Sequence, residues 1–169
     1  MEDDEHDPWN DPSLRHPRAA ALMQDEALWS CANELAPFGS DEGDESYWAY
    51  RDWRAENPEC NLVDFLSLIL KGREAEYNAS LTEDAVIGDS DESAVGFGYS
   101  DAFILDATII ATVLAQLVDE GRIDAEAKPL ARVAIARQCH PSLLAYYGDG
   151  HGEERRAILQ LAIQAIEAG

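Results

Sequence analysis

The run Phe103-Ile-Leu-Asp-Ala-Thr-Ile-Ile-Ala-Thr-Val-Leu-Ala-Gln-Leu-Val118 decides the fold. It contains Asp106 and is shorter than the ~20 apolar residues that a membrane span needs, so it reads as a core helix. Ser100 or Asp101 supplies an N-cap, and Gly121 after Glu120 is a natural stop. On a helical wheel, Asp101, Thr108, Thr112, Gln116 and Asp119 form a polar stripe. Asp106 falls instead among Phe103, Ile110, Val113 and Leu117. A carboxylate there must be paired or protonated. The helix expected from about Asp124 to Cys139, with Pro129 in its first turns, puts Arg137 among Leu130, Val133 and Ala134. Asp106 and Arg137 are therefore expected to meet as a buried ion pair, directly or through water. A structural role is favoured, because a catalytic carboxylate needs a second titratable group nearby.

Helical periodicity extends outward in both directions. Pro17–Leu35 reads as a first helix with a partial stripe of Leu22, Ala27, Leu28 and Cys31. Asp44-Glu-Ser46 opens a second, which holds Tyr47, Trp48, Tyr50 and Trp53 and stops before Pro58. Asn61 caps a third, Leu62 to Tyr77, with Phe65, Leu66, Ile69 and Leu70 on its face. Ser142–Tyr147 is a short segment. A last helix follows Asp149-Gly-His-Gly152, with Leu159, Ala162, Ile163 and Ile166 buried. Residues 78–100 are the least regular, with a short strand conceivable at Val95–Phe97. The expectation is an all-α bundle of five to six helices over residues 17–169. Residues 1–16, acidic and broken by Pro8 and Pro12, read as a flexible tail.

Charge is the strongest global signal. The 169 residues hold 34 acids and 12 bases, net -22. Residues 1–60 carry 16 acids and 4 bases, residues 61–121 carry 12 and 2, and residues 122–169 carry 6 of each. All the excess lies in the first 121 residues. Such a field repels nucleic acid and anionic lipid and attracts basic partners. The bland alternative is an acidic surface that serves solubility or halotolerance. Leu, Ile, Val and Phe make up 37 residues, about 22%, just above the rough 20% floor for folded chains. Met1-Glu-Asp-Asp-Glu5 lacks a signal peptide's basic and apolar regions. Cys31, Cys60 and Cys139 are odd in number and far apart, as expected of reduced thiols, so a cytoplasmic location is expected.

Motifs with chemistry are few. No nucleophile elbow, phosphate loop, His-Glu-x-x-His or dinucleotide fingerprint occurs. Glu83, Asp84, Asp89, Asp91, Glu92 and Asp101 offer oxygen ligands. As an EF-hand counted from Asp89, however, they put Ala94 where Gly is required and Ser100 where Glu is required. Cys139, His140, His151 and Asp149 lack the paired clusters of a zinc site. No metal or cofactor is expected. The aromatics Trp29, Tyr47, Trp48, Tyr50 and Trp53 crowd the acidic half; Tyr50 and Trp53 share a core-like face, while Tyr47 and Trp48 point elsewhere and are candidates for exposure.

Two stretches, Glu34-Leu-Ala-Pro-Phe-Gly-Ser-Asp-Glu-Gly43 with Tyr50-Arg-Asp-Trp53 and Asn57-Pro58, and Asp106 through Val118-Asp-Glu-Gly-Arg-Ile-Asp124, resemble the YfeS-like group of small acidic bacterial proteins. The resemblance spans about 35–125 and implies a bacterial cytosolic source; its motifs have no assigned chemistry. The leading expectation is an acidic binding module, of the kind that includes immunity-type inhibitors, which occludes a basic protein partner. Asp41, Glu42, Asp44, Glu45, Asp89, Asp91 and Glu92 would steer that partner and Trp48 would anchor it. The alternatives are a carboxylate- or metal-dependent hydrolase using Asp106, Asp101 and the 83–92 loop, and a halotolerant helical protein with no specific acidic site.

Overall fold

The long apolar run forms the central helix of a computed structural model that describes residues 7–79, 99–148 and 150–169. The described residues form helices and turns with no strand. In chain order the α-helices are α1 (Pro17–Leu22), α2 (Asp41–Glu56), α3 (Leu62–Leu70), α4 (Glu74–Ala79), α5 (Tyr99–Glu120), α6 (Lys128–Gln138), α7 (Pro141–Leu144) and α8 (His151–Ala168). The strand considered at Val95–Phe97 lies outside the described residues. No described helix is long and apolar enough to cross a membrane.

α1, α2, α3, α6 and α8 all pack on α5, so α5 is buried on every side from Ile109 to Val118. This explains a helix apolar all round. Within the polar stripe, Thr112 and Gln116 are fully buried, on a helix whose most extensive packing is against α2. α5 ends at Glu120, with Gly121 in the left-handed region at φ +69°, as a helix stop requires.

The first helix is shorter than its spacing suggests. It ends at Leu22, and the Asp25 side chain accepts the Ala27 N–H to start a 3-10 turn, Glu26–Trp29. Local side-chain bonding to the backbone outcompetes helix continuation there. The third helix likewise breaks. Lys71 and Gly72 take positive φ, and α4 sets off in a new direction. α3 therefore buries Leu62, Leu66 and Leu70, while Phe65 and Ile69 are only half-buried.

The tail boundary moves as well. Residues 7–16 pack on the body: Trp9 is buried against Phe38 and Tyr47, and the His16 N–H donates to the Val118 carbonyl at 3.0 Å. Residues 1–6 lie outside the described residues.

The turn that launches α2 has no spare room. A Cβ on Gly43 would sit 1.9 Å from the Pro37 carbonyl oxygen, and one on Gly39 would sit 1.8 Å from that of Asn33. Gly43→Ala is expected to destabilise the protein by about 2 kcal/mol or more. A urea midpoint equal to the parent's would show instead that the turn can yield.

Candidate functional site

α2 begins where the Ser40 hydroxyl accepts the Gly43 N–H at 3.1 Å, with Asp41, Glu42 and Asp44 in its first turn. Acids there are favoured by the helix dipole. Asp41, Asp44, Glu45, Trp48, Asp52 and Glu56 are all exposed, and their i, i+3, i+4 spacing sets them on one face. Trp48 lies mid-stripe and is 39% exposed. The dipole accounts for the first-turn acids but not for Asp52 and Glu56 toward its negative end. Asp41/Glu45 and Asp52/Glu56 are moreover like-charge pairs at i, i+4, each costing the helix about 0.2–0.5 kcal/mol.

Among the described residues no ion pair reaches these stripe carboxylates, and the arginines around them are engaged elsewhere. Arg51 pairs with Asp119 at 3.1 Å, Arg54 with Glu120 at 2.7 Å, and Arg156 with Glu153 at 3.2 Å. Arg15 pairs with Glu26, Arg132 with Glu167, and Arg137 with Asp106. Arg18 donates to the carbonyls of Gly121 and Ala168, and Arg155 to that of Leu35. Among the described residues, one face of α2 thus carries a row of carboxylates that no ion pair reaches.

The structure brings Asp41, Asp44, Glu45 and Trp48 together on that stripe. Glu42 is half-buried and borders a groove of about 230 Å³ between α2, α3 and α5. Asp89, Asp91 and Glu92, with Glu83 and Asp84, lie outside the described residues. Tyr47, a candidate for exposure, is buried: Trp9 packs edge-on against its ring at 4.8 Å.

Sequence reasoning missed a polar clasp at the far end of α5. The Tyr47 hydroxyl donates to Asp119 at 2.8 Å, and that of Tyr50 donates to Glu120. Arg54 and Arg122 both pair with Glu120. Asp124 accepts the Leu62 N–H at 2.8 Å, and its own N–H donates to Gln116 at 2.9 Å. Burial works against the Asp124 charge, yet the Leu62 N–H and the Gln116 and Arg122 side chains hold its carboxyl below the usual range. Burial, then the neighbouring carboxylates, push the Tyr47 and Tyr50 hydroxyls above the ordinary phenol range. The signal available was the i, i+4 repeat of Tyr47/Arg51 and Tyr50/Arg54, facing Asp119-Glu-Gly-Arg-Ile-Asp124. Every carboxylate in the clasp is engaged, so it fastens α2 and the start of α3 to the end of α5.

Asp106 is fully buried, and Arg137 is 4% exposed. Arg137 donates from Nε to Oδ2 at 2.9 Å and from Nη2 to Oδ1 at 3.0 Å. Gln138 Nε2 donates to Oδ2 at 2.9 Å, and the Tyr77 hydroxyl to Oδ1 at 2.6 Å. Four donors on a carboxylate sealed from solvent leave it no face for a substrate. His140 caps α7 by accepting the Ser142 N–H, and His151 lies 3.7 Å from Glu154. Among the described residues no three His, Cys, Asp or Glu side chains are placed to hold a metal.

The described molecule is thus an all-helical bundle around one buried helix, with a Trp-centred acidic stripe beside a groove. Comparisons with family models, with curated proteins and with solved structures find no match.

Proposed function

We propose that the protein is a binding module for a basic protein partner, docking on the exposed face of α2. The observation that supports this is the set of carboxylates that no ion pair reaches among the described residues, Asp41, Asp44, Glu45, Asp52 and Glu56, around the exposed indole of Trp48. The carboxylates steer the approach and the indole fills the centre of the contact. An inhibitor that occludes a basic active-site cleft is one form of this reading.

The test uses a labelled lysine-rich amphipathic peptide as probe. Neutralising Asp41, Asp44, Glu45 and Asp52 to their amides is expected to slow association by about tenfold or more at low salt, and raising salt from about 20 to about 200 mM to do the same to the parent. Trp48→Ala is expected to speed dissociation. An equal charge change made off the stripe, at Glu34, Glu59, Asp64 and Glu153, controls for net charge. Equal slowing by the control set, or association indifferent to salt, would sink the proposal.

A further inference from the structure

Beside the stripe, Glu42, Glu45 and Ala49 of α2 wall the groove on one side, and Phe65 and Ile69 of α3 on the other, above Ile104 and Thr112 of α5. Thr112 is 0% exposed, and its hydroxyl oxygen has no hydrogen-bond partner among the described residues. Ile104, 47% exposed, leaves the floor open at one end. A buried hydroxyl without a partner costs about 1–3 kcal/mol, a cost that a ligand's donor can remove. The groove therefore combines an apolar wall, two carboxylates and one unanswered acceptor.

We infer that this groove receives a lysine side chain from the basic partner. The inference rests on α2 being the docking face. A lysine stem is four methylenes long and lies well on Phe65, Ile69 and Ile104, as such stems do on apolar surface. Its ammonium carries three donors and no acceptor, and the groove offers Glu42, Glu45 and the Thr112 hydroxyl. A guanidinium needs its planar fork aligned with each carboxylate, whereas an ammonium meets both as a point charge in any rotation about its stem. An apolar side chain would leave both carboxylates desolvated without a partner and the hydroxyl still unanswered.

Methyl NMR of the full chain tests this, with Nα-acetyl-lysine N-methylamide as probe and the norleucine analogue as its uncharged match. The lysine probe is expected to shift the Ile69, Ile104 and Thr112 methyls saturably, and the norleucine probe not to. Thr112→Val removes only an unsatisfied hydroxyl, so it keeps the fold, and with Glu42→Gln it is expected to weaken the lysine probe by about tenfold. Equal shifts from both probes, no saturable shift, or an unchanged affinity in the double variant would overturn the inference. Ala49→Phe, at an exposed position, fills the groove and leaves the stripe intact. It is expected to abolish the probe's shifts and weaken the lysine-rich peptide while keeping its salt dependence. A peptide that binds this variant as tightly as the parent overturns the groove and leaves the docking face standing. A peptide that ignores the parent while the lysine probe binds overturns the docking face alone.

Discussion

Asp106→Ala is expected to cost about 3–5 kcal/mol of stability, the largest loss of any single substitution considered in this protein. Domains of this size are stable by only about 5–15 kcal/mol, so the variant should unfold at much lower urea. The cost lies in what remains more than in what is removed. Without the carboxylate, the Arg137 guanidinium, the Tyr77 hydroxyl and the Gln138 amide stay behind in a site that excludes solvent. The triple variant Asp106→Leu, Arg137→Met, Tyr77→Phe removes the acid together with its two strongest donors and is expected to recover most of the loss. Burial raises the Asp106 carboxyl above its ordinary range despite the opposing hydrogen bonds from Arg137, Tyr77 and Gln138. A raised value means that the native state holds this proton more readily than the unfolded chain. The group's favourable contribution is then complete below the ordinary carboxylate range and is lost as pH rises through the folded value. Acidification to the ordinary carboxylate range is therefore expected to destabilise the parent no more through Asp106 than it does the triple variant. A single variant that loses under about 1 kcal/mol, or a triple no better than the single, would show that water reaches these groups.

The pairing of Asp106 with Arg137 was legible because both sit on long periodic helices. There, a wheel identifies the one charged residue on an apolar face. The third member, Tyr77, was not legible. Reading residues 62–77 as one helix fixed its direction wrongly, since it passes over the stop that Gly72 offers; less legible is that Lys71, a non-glycine, also turns left-handed. Periodicity also says which residues share a face and not what that face meets. Thr108, Thr112 and Gln116 read as one polar stripe, yet only packing shows that Thr112 and Gln116 are buried, Thr108 is half-buried at the groove, and the Thr112 hydroxyl is left over there. The stripe on α2 was legible in part, from the density of acids at Asp41–Glu45 beside Trp48. Asp52 and Glu56 follow Trp48 at four-residue steps in the same helix; placing Asp41 on the stripe needed the earlier helix start, and the stripe's lack of ion pairs among the described residues needed the arginines' partners.

Trp9→Ala is expected to cost about 3 kcal/mol, although its surroundings in the sequence are those of a disordered tail. Asp7, Pro8 and Pro12 discourage helix there, but they do not prevent an ordered turn. One Asp7 carboxylate oxygen accepts the N–H groups of Trp9 and Asn10, and the turn aims the indole inward. The indole stacks on Phe38 at 4.4 Å and meets the Tyr47 edge at 4.8 Å, and it is only 9% exposed. Arg15 closes the loop by donating to the Pro8 carbonyl at 2.7 Å while lying 4.0 Å over the Trp29 ring. Truncation therefore opens a cavity in a fixed aromatic cluster. The consequence reaches the docking face, because Tyr47 also contacts Trp48 edge-on at 5.1 Å. With Trp9 gone, Tyr47 loses its backing and the exposed indole loses a fixed neighbour. The variant is expected to show both a lower urea midpoint and faster dissociation of the lysine-rich peptide, without a change in the salt dependence of association, since no charge has moved. A flexible segment at residues 7–16 makes the opposite prediction, with stability and dissociation rate both equal to the parent's, so a single urea titration of Trp9→Ala decides whether the bundle begins before α1.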